Sequence, residues 1–148
     1  MITSKQQEFS DAQAILSTVQ ISTNVIDLGA PGTVLGAPTA LTRDIGPGNP
    51  IPIVIQVATA FAGAGSLTVD IQVANTISLV GATTLASFSA TATQLPLGKQ
   101  VPVAVVPNDA DQRYLGISYS RSTSTLTGSL DAAIVAGVQT NTAAGRNN

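Results

Sequence analysis

Apolar and polar residues alternate with a period of two along most of this chain. The alternation is clearest at residues 50–61, 66–74, 113–120 and 126–138. In the second of these segments Leu67, Val69 and Ile71 share one face, and Thr68 and Asp70 share the other, as in strands with one buried and one solvated face. Weaker candidate strands cover residues 15–21, 23–28, 83–90 and 100–106. About eight short strands separated by turns predict an all-β fold, a jelly roll or antiparallel β-sandwich.

Glycine and proline residues mark the ends of these strands. The link FAGAGS between the first two segments supplies Gly63 and Gly65, which suit the positive φ angles of a hairpin loop. Pro52 and Pro102 fall just inside predicted strands. Because proline lacks a donor for the hydrogen-bond ladder, we expect both at strand starts or sheet edges.

The opening stretch FSDAQAILSTVQISTNVIDLG, residues 9–29, combines a helix signal with an extended one. Ser10 followed by Gln13 is a capping-box spacing and predicts one or two helical turns at residues 11–16. A helix this short is marginal in water, so we expect the arm to dock on a neighbouring molecule, with its own domain as the alternative. The predicted organisation is an N-terminal arm at 1–14, a sandwich domain at 15–138 and a polar tail at 139–148.

Composition narrows the classes of function. The chain has 148 residues, which suits one domain, with a net charge of −2 and only 9% charged residues. Nucleic-acid binding needs clustered lysine and arginine. The six basic residues here are scattered, so we expect no nucleic-acid partner. Proline, glutamine and glycine interrupt the long uncharged segments, so we expect no membrane span.

Candidate residues for catalysis or metal binding are few. The chain has no histidine and no cysteine, which excludes a Ser–His–Asp arrangement and cysteine-held metals. A serine–lysine pair would need Lys5 or Lys99, which lie in the arm and in a turn-like segment. Asp109 and Asp111 offer oxygen ligands for an ion, but an ordinary β-turn is the simpler interpretation. We therefore expect no enzymatic activity, no cofactor and no metal.

Three segments, taken in order, carry a family resemblance. They are the opening stretch, GPGNPIPIVIQVATAFAGAGSLTVDIQVAN at 46–75 and QRYLGISYSRSTSTLTGSLDAAIVAGVQTN at 112–141. Together they resemble the small cement, or decoration, proteins of tailed-bacteriophage capsids. The resemblance implies a jelly roll made in the bacterial host cytoplasm and bound to an HK97-like major capsid protein on the outside of the virion. It also implies self-association, with a dimer expected and a trimer as the alternative.

The same resemblance implies that the protein clamps adjacent capsid subunits and stabilises the shell. We expect Phe9, Ile15 and Leu16 of the arm, with Arg146 of the tail, to contact the capsid or a second copy. Without histidine, decoration should change little between about pH 6 and 8. The alternative function is a fibre or adhesin module that binds a carbohydrate or host receptor, which three phenylalanines and two tyrosines support only weakly.

Overall fold

The computed structural model describes residues 5–30, 32, 35–36, 38–39, 50–105 and 111–136. Nine β-strands and a 3-10 turn at Ala92–Gln94 lie within these residues. The strands are β1 (Glu8–Ala14), β2 (Val19–Ile21), β3 (Ile26–Asp27), β4 (Ile51–Ala62), β5 (Ser66–Ala74), β6 (Thr83–Thr91), β7 (Gln100–Val105), β8 (Tyr114–Arg121) and β9 (Thr127–Ile134). The all-β class predicted from the alternation is confirmed.

The strands form two antiparallel sheets packed face to face. One sheet has the order β1-β9-β4-β7, and the other has the order β2-β8-β5-β6. β3 also pairs with β8, beyond β2, so that β2 and β3 act as two halves of one interrupted edge strand. The links β4–β5, β6–β7 and β8–β9 each pass from one sheet to the other. This interleaving of two layers is the jelly-roll arrangement.

The core lies between the sheets and is built from the alternating positions. On β5, Leu67, Val69, Ile71 and Val73 are each at most 1% exposed, on the face that the sequence predicts to be buried. Inward residues of the other strands complete the cluster, among them Ile53, Ile55, Val57, Leu115, Ile117, Tyr119, Leu130 and Ala132. Burying one such aliphatic side chain contributes about 1.5–3 kcal/mol. The two facing layers therefore supply the main driving force for folding.

The N-terminal stretch forms strand β1 where the sequence predicts a helical turn. β1 pairs with β9 at the edge of its sheet, and Phe9 and Ile15 are fully buried in the core. The Ser10 hydroxyl does donate to Gln13 Oε1, at 2.6 Å, but the backbone between them is that of an irregular strand. The helix prediction is wrong because burial of Phe9 and strand pairing outweigh the marginal stability of one helical turn. The sandwich therefore includes the chain from Glu8 onward.

The link between β4 and β5 crosses from one sheet to the other, so the predicted hairpin is wrong. The positive φ angles predicted for its glycines are confirmed, at 96° for Gly63 and 116° for Gly65. A Cβ at Gly63 would lie 2.0 Å from the Thr125 carbonyl oxygen, because this link packs tightly on the β8–β9 turn. The two glycines therefore allow the tight turn by which the chain passes from one sheet to the other.

Both prolines lie where the hydrogen-bond ladder tolerates them. Pro52 is the second residue of β4, and Pro102 lies in β7, an edge strand of its sheet. These are the strand start and the sheet edge that the sequence predicts.

Candidate interaction surfaces

Strands β1 and β2 are the neighbouring edges on one side of the sandwich, and side chains join them. Gln13 of β1 spans the gap: its Nε2 donates to the Ile21 carbonyl oxygen at 2.8 Å, and its Oε1 accepts from the Thr23 amide at 2.9 Å. Asn24 Nδ2 donates to the Glu8 carbonyl oxygen at 2.7 Å. These contacts satisfy backbone groups that a free strand edge would expose. We call β1 with residues 19–24 the closed side.

The reach of Gln13 depends on an irregularity in β1. The register with β9 shifts between Ser10 and Gln13, and Ala12 has a φ of 44°. The Ala12 amide donates to Asp131 Oδ1 at 2.6 Å, which holds this conformation. A bulge turns the side chains that follow it away from the regular strand pattern. The bulge therefore places Gln13 where it can bridge to β2.

Tyr119 connects the closed side to the core. Its hydroxyl lies 2.7 Å from Ser10 Oγ, and its side chain is fully buried. Burial raises the pKa of Tyr119 well above its ordinary value, because the phenolate would lose its hydration; the hydrogen bond with Ser10 opposes this effect. The phenol therefore stays protonated and acts as a structural hydrogen-bonding group.

Three apolar side chains remain exposed, two of them on the closed side (Val19 and Ile21) and one in the link that precedes β2 (Leu16). Leu16, Val19 and Ile21 are 67%, 63% and 37% exposed. Val19 and Ile21 lie opposite Ser120 and Ser118 of β8, so all four share the outer face of the second sheet. We call Leu16, Val19 and Ile21 the apolar corner. On the sheet face it is bordered by the small, uncharged Ser118 and Ser120. Beside Leu16 it is bordered by the Arg121 guanidinium, which donates to the Leu16 carbonyl oxygen.

The four predicted contact residues fall in different environments. Phe9 and Ile15 are fully buried in their own domain, so in this fold their side chains serve the core and are not available at the surface. Leu16 is exposed and belongs to the apolar corner. Arg146, like the rest of the predicted tail at 139–148, lies outside the described residues.

The opposite side of the sandwich carries β6 and β7. Within the described part of the chain, β6 pairs with β5 only, and its sequence TTLASFSAT contains no charged residue and no proline. A groove of about 460 Å³ runs beside β6, with Ala90, Leu95 and Val101 in its lining. Lysine, proline and short length are the usual protection of a free edge. β7 has Pro102, whereas β6 has neither lysine nor proline and is nine residues long. β6 does have a register shift against β5 between Thr84 and Ala86, and the segment that follows it, Ala86–Thr91, pairs regularly. We call β6 and this groove the open side.

The described residues place no three carboxylate, histidine or cysteine groups together for a metal ion. Asp111 is exposed, and Asp109 lies outside the described residues. Lys5 donates to Asp11 Oδ2 at 3.3 Å, and this hydrogen bond raises the pKa of Lys5, with the charge of Glu8 adding to the effect. A lysine that holds its proton more firmly is poorly suited to act as a base.

Among the described residues no helix has the length and apolar character to cross a membrane.

The fold and its edges define a jelly-roll β-sandwich with one closed and one open side. The model of the Bbp16 family matches residues 9–134, which run from the second residue of β1 to the last residue of β9. The chain therefore belongs to the Bbp16 family. A comparison with curated proteins found no match.

Proposed function

We propose that this chain is a structural protein of a tailed bacteriophage that binds the outer surface of an HK97-like capsid and cements neighbouring major capsid subunits. The observation that carries the proposal is the ordered resemblance of three segments to capsid cement proteins. Those segments contain β1 from its second residue, all of β2–β5, and β8 and β9, which contribute to both sheets. The Bbp16 match, over residues 9–134, covers the same strands together with β6 and β7.

We assign the capsid contact to the apolar corner. The centres of protein interfaces are depleted in charge. On the outer sheet face next to the corner, Ser120 and Thr68 are uncharged, and Ser118 is largely buried. Asp70 lies opposite Ser118 on the same face, and its carboxylate accepts a hydrogen bond from Ser87. Covering Leu16 and Val19 would remove apolar surface from water. The Arg121 guanidinium beside Leu16 donates to three backbone carbonyl oxygens, so its charge would be covered with hydrogen-bond partners in place. Such a surface suits a partner that supplies a shallow apolar depression.

Cementing of this kind requires binding energy and no reaction. A protein that binds the assembled shell, and not the free capsid subunits, shifts the equilibrium toward the shell by mass action. If two linked copies engage two capsid subunits, the second contact is intramolecular and strengthens binding by a factor of about 10² to 10⁴. Such a clamp resists the outward pressure of packaged DNA without contacting the DNA.

The test mixes purified protein with empty capsids of the phage that encodes it and measures bound protein by sedimentation and negative-stain microscopy. We expect the wild type to decorate the outer surface, and we expect Leu16→Ser combined with Val19→Thr to bind less. Ile77→Ser is the matched control, since Ile77 is also 63% exposed but lies between β5 and β6.

Capsids that bind no wild-type protein would refute the proposed function. Equal losses in the double variant and in the Ile77→Ser control would refute the assignment of the apolar corner, because the effect would then not depend on position.

A further inference from the structure

The backbone of β6 offers hydrogen-bonding groups to a partner strand. The Ser66 carbonyl oxygen accepts from the Ser122 amide at 2.9 Å, so Ser66 and every second β5 residue after it bond toward β8. The intervening β5 residues bond toward β6, and one of them is the partner of Phe88. Ser87 and Ser89 therefore direct their amide and carbonyl groups away from β5, toward an edge that no other strand of the described residues covers.

The sequence of this edge reads the same in both directions. Residues 86–90 are Ala-Ser-Phe-Ser-Ala, centred on Phe88. Two antiparallel copies centred there would place Ser87 opposite Ser89 of the other copy, in two hydrogen-bonded pairs related by symmetry. Alanine would face alanine, and no like charges would meet because β6 has no charged residue. A partner with the same sequence therefore fits this edge in a defined register.

An apolar contact between the two Phe88 side chains would favour the same register. Its ring is half-buried against the core cluster, and the residue lies opposite buried Val69. Because Phe88 bonds toward β5, it would form a non-hydrogen-bonded pair with Phe88 of the second copy, with Cα atoms about 4.5 Å apart. Aromatic residues in such cross-strand pairs stabilise a sheet. The contact would cover the part of the ring that a single copy leaves in water.

We propose that β6 pairs antiparallel with β6 of a second copy, centred on Phe88, so that two sandwiches share one continuous sheet. β2 and β6 lie at opposite ends of the second sheet, so the two apolar corners would lie at the two outer ends of the shared sheet. With strands about 4.8 Å apart, this separation is roughly 30–35 Å. The biological use of this spacing rests on the proposed function: one dimer would reach two capsid subunits.

The first test measures the mass of the free protein by sedimentation velocity over a range of concentrations. Ser89→Pro removes an outward amide while leaving the ladder to β5 intact, and Ser89→Ala is the control that keeps this amide. We expect wild type and Ser89→Ala to be dimeric and Ser89→Pro to dissociate at concentrations at least about tenfold higher. A cooperative melting transition for Ser89→Pro shows that it is folded.

The second test uses cross-linking, which does not depend on the proline variant. The chain has no cysteine, so Phe88→Cys introduces one thiol at the proposed symmetry axis, within the Cα range that a disulfide needs. Under mild oxidation we expect Phe88→Cys to cross-link to a dimer faster than the control Thr84→Cys, which lies away from the axis. Equal rates for the two variants would overturn the proposed register.

A wild-type protein that is monomeric at all concentrations overturns the pairing. If such a monomer still decorates capsids, the proposed function stands without it; if Ser89→Pro then loses decoration, the edge belongs to a capsid strand. A dimer that shows the expected variant effects but binds no capsid supports the pairing and refutes the proposed function.

Discussion

The closed and open sides of this sandwich differ in what happens to the unpaired backbone groups of their edge strands. On the closed side, Gln13 and Asn24 carry hydrogen bonds across the gap between β1 and β2. On the open side, β5 is the one strand among the described residues that pairs with β6, and no charge or proline within β6 protects its outer edge. A free, uncharged edge favours pairing with another strand. The difference indicates that one side stabilises the single chain and the other is suited to a partner.

The closed side requires an unfavourable backbone conformation in β1. Ala12 adopts a φ of 44°, a region that residues other than glycine rarely occupy. The Asp131 carboxylate and the buried Phe9 hold this conformation. No described side chain bridges from β6 to β7 in the way that Gln13 bridges to β2. The variants below test this contrast, beginning with the core that both sides share.

Ile117→Asp should abolish folding, so that neither the closed nor the open side forms. Ile117 is 0% exposed and lies in the central cluster, so an aspartate there would be a buried charge without a partner. Ser120→Asp is the control on the outer face of the same strand and should stay folded. Circular dichroism and thermal melting distinguish the two. A folded Ile117→Asp with an unchanged melting curve would contradict the assignment of the inner face.

Phe9→Ala should destabilise the monomer by about 3–5 kcal/mol, because it leaves a cavity under the closed side. Phe88→Ala on the open side should cost less than half of that, because its ring is already partly in water. Urea denaturation at low protein concentration measures both. Equal losses would show that the two sides contribute alike to the stability of the single chain.

Gln13→Ala should cost about 1 kcal/mol, since it leaves the Ile21 carbonyl and the Thr23 amide to water. Amide hydrogen exchange should show faster exchange at Thr23. Gln94→Ala is the matched control near the open side, where Gln94 accepts from the Thr91 amide within a local turn. If Thr23 exchange stays slow in Gln13→Ala, the bridge does not protect this edge.

Tyr119→Phe should have the smallest effect at neutral pH, about 1 kcal/mol or less, from loss of the contact with Ser10. Its signature is the pH dependence. Because burial raises the pKa of Tyr119 in the folded state, its contribution is fully present below about pH 10, the ordinary tyrosine value, and is lost as the pH rises further.

Urea midpoints measured from pH 8 to 11 should therefore fall more steeply for the wild type than for Tyr119→Phe. Expressed as the free energy of unfolding, the slopes of the two proteins against pH differ by at most about 1.4 kcal/mol per pH unit. Parallel curves for the two proteins would show that Tyr119 ionises equally easily in the folded and unfolded chains.

The sequence predicts the main strands but not the bulged strand β1 or the role of the β6 edge. Strict alternation places β5 and the inner face of β8 correctly, because the predicted inward residues of both strands are buried. The outer face of β8 differs from the expected solvated face, since Gly116 and Ser118 are also buried and Leu79 packs over Gly116. β1 is misread because Ser10 and Gln13 have the same spacing in a helix cap and in a bulged strand. The palindrome around Phe88 is visible in the sequence, but it has meaning only once β6 is known to lie at an edge.

By itself, the sequence determined the all-β class, the inward and outward faces of the main strands, and the lack of histidine and cysteine chemistry. These properties depend on residue type and on the two-residue period of an extended chain. The tertiary structure decided which strands neighbour one another and that the link at Gly63 crosses between layers. It also decided that side chains bridge one side of the sandwich, while on the other side no described strand pairs with the outer edge of β6. Those outcomes depend on contacts between residues far apart in the chain, such as Ser10 with Tyr119, and local patterns do not encode them.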